Sequence, residues 1–132
     1  MIIQLRPNPD KDTGLTVTKR AARILGEYPS VRLCIAPEFL SAMEEDLLPV
    51  CSSEGLEPDM YLVMGGDGSV IRTAHRAAEK GIPILSVNLG RMGYLCEVEP
   101  DRLSLLKKIP EGAYTLEKRS MLKLAWMRGE TE

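Results

Sequence analysis

Between residues 61 and 72 the chain reads Tyr-Leu-Val-Met-Gly-Gly-Asp-Gly-Ser-Val-Ile-Arg. Four apolar residues with no polar alternation predict a strand buried on both faces, the kind found inside parallel sheets. Gly65, Gly66 and Gly68 then remove the Cβ atoms that would hold a phosphate away from the backbone N–H groups. From Ser69 onward the spacing predicts a helix, whose first N–H groups and positive dipole end favour the same anion. A strand, a phosphate turn and a helix place the chain in the α/β class. The turn is not a Walker loop, because no Lys-Ser or Lys-Thr follows, and Ile71 stands where a dinucleotide fingerprint has its third glycine. Asp67 is the unusual residue, since a carboxylate among phosphate-binding amides repels the phosphate unless it has a task. It can hold a metal that bridges phosphates, take a proton from an attacking hydroxyl, or cap the helix, and the residue types leave all three open.

The rest of the chain supplies the sheet for that turn. Ile2 to Leu5 predicts a first strand, stopped by Pro7 and Pro9. Asp12 or Thr13 can cap a helix running to Glu27, and residues 31–36 predict a second strand, so the sheet is expected parallel with a right-handed crossover. Residues 37–59 carry seven carboxylates and no Lys or Arg. They read as a solvated face around one helix before Pro49, the most irregular part of the chain. In the helix after the turn, Val70, Ile71, Ala74, Ala77 and Ala78 are expected inward, and Arg72, His75, Arg76 and Glu79 form a polar face. Residues 83–87 predict a fourth strand. Asn88, Gly90 and Gly93 make a second turn, and Tyr94 after it offers a flat face to a base or to the core. A helix is expected over 100–109. Residues 114–119 and 122–127 then alternate with period two, as antiparallel strands do. The expected division is an α/β nucleotide-binding domain at 1–112 and the start of a β domain at 113–132.

With 132 residues and a net charge of −2, nothing calls for nucleic acid or an anionic membrane. No apolar segment approaches the roughly 20 residues of a membrane helix, and the first residues lack the pattern of a secretory signal, so a cytoplasmic location is expected. Cys34, Cys51 and Cys96 are far apart and His75 is the lone histidine, which argues for free thiols and against structural zinc; no metal ligand is assigned.

Gly-Gly-Asp-Gly followed by Ser resembles the phosphate loop of a kinase superfamily that includes NAD kinases, diacylglycerol and sphingosine kinases and phosphofructokinases. The second loop, from Asn88 through Gly90, Gly93 and Tyr94 to Leu95, is similar to that of NAD kinases. So are the Pro-Asn-Pro-Asp-Lys turn at 7–11 and Glu-Lys-Arg-Ser-Met-Leu at 117–122. The resemblance spans nearly everything except 37–59, with Ser69 where Thr is commoner and Tyr94 where Phe is. It implies a Rossmann-like three-layer domain with a mostly parallel sheet. It also implies transfer of the ATP γ-phosphoryl group, assisted by Mg²⁺, to the 2′-hydroxyl of the adenosine ribose of NAD, giving NADP. Asp67 would be the general base; Gly66 and Gly68 would let backbone approach the ligand; Arg72, Asn88 and Tyr94 would line the NAD and ATP site. The family's Asn-Glu pair and later glycine-rich segment are not among these residues, so this chain alone is expected to have little kinase activity. The strand pair with Trp126 and Met127 is expected to drive self-association, and the intact protein to be a dimer or tetramer. The alternatives are a lipid or sugar-phosphate kinase of the same superfamily, a nucleotide-binding module without catalysis, and a bare scaffold.

Overall fold

The computed structural model describes residues 1–90 and 98–116. Its core is a five-stranded, wholly parallel sheet in the order β3-β2-β1-β4-β5. The strands are β1 (Ile2–Pro7), β2 (Arg32–Ile35), β3 (Val50–Ser52), β4 (Met60–Gly65) and β5 (Ile84–Asn88). Helices α1 (Thr16–Leu25), α2 (Pro37–Glu45) and α3 (Asp67–Ala78) connect them, and a 3₁₀ helix, Pro100–Lys108, follows. The chain steps outward from β1 to β3, returns to lay β4 on the other side of β1, and steps outward again to β5. Right-handed crossovers therefore put α1 and α2 on one face and α3 on the other.

Side-chain alternation agrees with that layering. Ile3, Leu5, Leu33, Ile35, Leu62 and Met64 share one apolar core with Ala21, Ala22 and Leu25 of α1, Met43 of α2, and Leu103 and Leu106. The alternate residues of β1 point to α3, where Arg6 Nε donates to Thr73 Oγ1 at 3.1 Å.

Several local expectations shift. Strand β1 continues through Pro7, which registers with Met64. Its missing N–H falls on the side of β2, which has already ended at Ile35, so the ladder loses nothing. Leu15 holds the capping position of α1, and buried Asp12 satisfies its first turn from three residues upstream: its carboxylate accepts from the N–H groups of Val17 and Thr18, both at 2.9 Å, and from Thr18 Oγ1 at 2.6 Å. Residues 37–59 are more regular than their composition suggests, holding α2 and the short β3. Their carboxylates are exposed, and Asp46 pairs with Lys19 at 3.0 Å and Arg23 at 3.3 Å. In α3 the inward residues are Val70, Thr73 and Ala77, while Ile71 is 49% exposed. The last helix is 3₁₀ rather than α, broken at Arg102 (φ −122). The expected strand pair near the C-terminus falls mostly at 117–132, outside the described residues. No helix among the described residues is long and apolar enough to cross a membrane.

Candidate functional site

Neighbouring strands β1 and β4 send their connections to opposite faces of the sheet. Such a switch point leaves a crevice beyond the carboxyl ends of the strands, and open α/β sheets bind ligands there. Three turns meet at that edge, after β1, β4 and β5.

The glycines of the middle turn do different work. A Cβ at Gly65 would fall 2.4 Å from Ser69 Oγ and 2.8 Å from Ser69 Cβ, so glycine is what lets α3 fold back directly off the strand. Gly66 has extended backbone (φ −107, ψ −167), open to any residue, and among the described residues a Cβ there would meet nothing nearer than Lys11 Cε at 3.8 Å and Gly90 Cα at 3.9 Å. Among the described residues nothing requires glycine at 66, and they leave the space above it open. Asp67 is the first residue of α3, half-buried, and the helix begins two residues before the position the spacing predicts. Gly66 occupies the capping position, so Asp67 is not the cap; its carboxylate stands in the first turn, at the positive end of the helix.

Other side chains close around the turn. Ser69 Oγ accepts from Asn8 Nδ2 and from Arg72 Nη2, each at 3.3 Å, tying the turn after β1 to the start of α3. Arg72 lies in the second turn of the helix and reaches back, its Nη1 3.5 Å from where a Cβ on Gly68 would be. Lys11 Nζ is 3.9 Å from the corresponding position on Gly90, so an ammonium stands beside both Gly66 and Gly90. Asn88 is buried at the end of β5; its Oδ1 accepts from the Gly90 N–H at 3.0 Å and its Nδ2 donates to Glu99 Oε1 at 3.4 Å, which fixes the third turn. The structure thus brings Gly66, Asp67, Gly68, Arg72 and Asn88 to one edge, whereas Tyr94 lies outside the described residues. Asn8, Ser69 and Lys11 were not among the expected site residues. The signal for Asn8 and Lys11 was available: a turn directly after the first parallel strand must share the edge of the glycine turn.

Beside this turn a cleft of about 470 Å³ runs between the end of β1, the start of α2 and the flank of α3. Arg6 forms part of its floor, with its guanidinium carbon 5.6 Å from the centre of the Tyr61 ring. Burial pushes the Arg6 pKa below its ordinary value, the charge of Arg76 adds to that, Tyr61 opposes it, and Arg72 adds a smaller push down.

The sequence pattern of the ATP-NAD kinase N-terminal domain matches residues 3–114. The chain belongs to the NAD kinase family. The NAD kinase of Natranaerobius thermophilus is 32% identical over 132 residues, which cover 98% of this chain and 46% of that protein. That of Heliobacterium modesticaldum is 36% identical over 126 residues, covering 95% and 44%. The chain therefore spans a little under half the length of these NAD kinases. Among solved structures, yeast NADH kinase complexed with NADH aligns over 86% of this chain and 37% of its own, with a TM-score of 0.68 at 15% identity, a likeness of fold. The match to NAD kinases leaves the lipid and sugar-phosphate kinases of the wider superfamily without support.

Proposed function

We propose that this chain forms the N-terminal part of the active site of an ATP:NAD 2′-phosphotransferase. The observation that carries the reading is Asp67, a carboxylate at the head of α3 on a glycine turn at the carboxyl edge of the sheet, with Lys11, Arg72 and Gly90 beside it. In the step we assign to it, the carboxylate accepts the proton of the adenosine ribose 2′-hydroxyl as that oxygen bonds to the γ-phosphorus of ATP. The bond from the γ-phosphorus to its bridging oxygen breaks, and ADP leaves with the electron pair. Gly66 and Gly68 admit the ligand to the backbone, Arg72 and Lys11 set positive charge on either side of the turn, and Asn88 holds the Gly90 turn in place. Tyr94 is proposed to line the nucleotide pocket on the resemblance alone.

Among the described residues no three His, Cys, Asp or Glu side chains gather into a metal cage. Mg²⁺ commonly takes one or two carboxylates and completes its shell with phosphates and water, so Asp67 fits it as a single ligand. When bound, the ion neutralises charge on the phosphates. Residues 113–132 are read as the start of the β domain that supplies the remainder of the NAD site, with oligomerisation and a cytoplasmic location as parts of the same proposal. The test is Asp67→Asn in the full-length gene product. NADP formation should fall by about a hundredfold or more, the scale of a lost general base, while stability changes by only about 1 kcal/mol, the scale of a lost charge at a helix N-terminus; an undiminished rate rejects the assignment.

A further inference from the structure

Cys34 and Cys51 take no part in the chemistry assigned to the glycine turn, yet the sheet sets them side by side. Strands β2 and β3 run parallel in the register Leu33 to Val50, Cys34 to Cys51 and Ile35 to Ser52, so the two thiols are direct neighbours on the same face. Neighbouring strands lie about 4.8 Å apart, inside the roughly 4.4–6.8 Å between Cα atoms that a disulfide spans. Both cysteines are free in this structure. Each sulfur leans toward the strand on its inner side: Cys51 Sγ donates to Leu33 O at 3.4 Å, and Cys34 Sγ to Ile3 O at 3.8 Å. The Cys51 sulfur therefore already lies toward β2, while the Cys34 sulfur is turned away from it toward β1. Moving the Cys34 side chain to another staggered position points it at Cys51. Access to the pair is from one side. Cys34 is fully buried, whereas Cys51 is half-buried and lines an open groove at the amino ends of β2 and β3. Arg32, exposed at the same groove, favours a thiolate there and an anionic reagent beside it.

We infer that Cys34 and Cys51 form a reversible thiol–disulfide site, oxidised by low-molecular-weight disulfides, with Cys51 the entry thiol and Cys34 the resolving one. In the first step the Cys51 thiolate attacks one sulfur of the reagent, the reagent's S–S bond breaks, and one small thiolate leaves with the electron pair. In the second, the Cys34 thiolate attacks the Cys51 sulfur of that mixed disulfide and expels the other small thiolate. The protein gives up two protons and two electrons, and the small disulfide is reduced to two thiols. Burial pushes the Cys34 thiol up to about 11, with Cys51 adding to the rise, so Cys34 is the poorer first attacker. The new bond closes the loop that runs from β2 through α2 to β3, and it pins the three-residue edge strand β3 to β2.

Peptide mapping of the full-length gene product tests the site without any substitution. No Lys or Arg lies between Arg32 and Arg72, so trypsin releases both thiols on the one peptide 33–72. After equilibration in excess oxidised glutathione, acid quenching and alkylation, that peptide should be two hydrogens lighter than its reduced form and carry no alkyl group. Dithiothreitol should restore two alkylatable thiols. Cys34→Ala should stop at one glutathione on Cys51, and Cys51→Ala should gain glutathione at Cys34 about tenfold or more slowly than that. Amide exchange across 50–53, where the Ser53 N–H donates to Ile35 O at 2.8 Å, should slow about tenfold or more on oxidation, because the edge strand can no longer swing away from β2. A peptide 33–72 that stays reduced, carries two glutathiones or is joined to a second chain overturns the inference. So does Cys51→Ala reacting as fast as Cys34→Ala, or exchange across 50–53 that oxidation leaves unchanged. None of these outcomes bears on Asp67.

Discussion

The two faces of this sheet are built from the same strands and do opposite things. Toward α1 and α2, β1 presents Ile3 and Leu5, β2 Leu33 and Ile35, and β4 Leu62 and Met64, sealed under helices and the 3₁₀ segment. Toward α3 the neighbouring positions are Gln4, Arg6, Cys34, Tyr61, Val63 and Ser86, and the helix itself buries Thr73 beside Val70 and Ala77. The first face contributes most of the hydrophobic stabilisation, since free energy of burial scales with apolar area. That leaves the second free to carry polar groups, a charged cleft and the glycine turn. The apolar core lies on one face of the sheet and the proposed binding site on the side of the other.

Substitutions on each face put that division to the test. On the sealed face Leu62 is fully buried, and Leu62→Ala should cost about 2–5 kcal/mol in urea unfolding while leaving turnover per folded molecule in the full-length product intact. A loss of turnover in the folded fraction would mean the faces are not independent. At the hinge between them, Gly65→Ala drives a methyl into Ser69 and should cost about 1–3 kcal/mol, because the obstacle includes a Cβ rather than only a flexible tip. A melt indistinguishable from the parent would show that the start of α3 gives way. The smallest effect belongs to Cys34, fully buried on the α3 face. Burial pushes its thiol up to about 11, with Cys51 adding to the rise and Arg32 opposing it. The raised value means that its contribution to stability is complete below the ordinary thiol value of 9.0 and is lost as pH climbs toward about 11. Native chain at pH 8 should therefore alkylate at the half-buried Cys51 before Cys34; equal rates would show the α3 face to be open there.

What the sequence disclosed follows the same division. The run from Tyr61 to Ser69 was legible because its signals are local: unbroken apolarity, then glycines. The start of α3 was misplaced because a glycine in the capping position works through its backbone and leaves no side-chain mark. Thr73 was passed over as an inward residue, yet its hydroxyl both donates to Ser69 O at 2.9 Å and accepts from Arg6, so it is buried with its polarity satisfied. Strand β3 is three residues long and resembles loop in composition. The cleft could not be read along the chain at all. Arg6 and Thr73 are 67 positions apart and Asn8 and Ser69 are 61, and only the parallel pairing of β1 with β4 brings them together.

Gly66 offers the most direct measurement, because nothing among the described residues asks for glycine there. Gly66→Ala in the full-length gene product should melt within about 1 kcal/mol of the parent, yet form NADP about a hundredfold more slowly, as a ligand displaced by a methyl's width would. Normal melting with normal NADP formation would contradict a ligand resting over this turn.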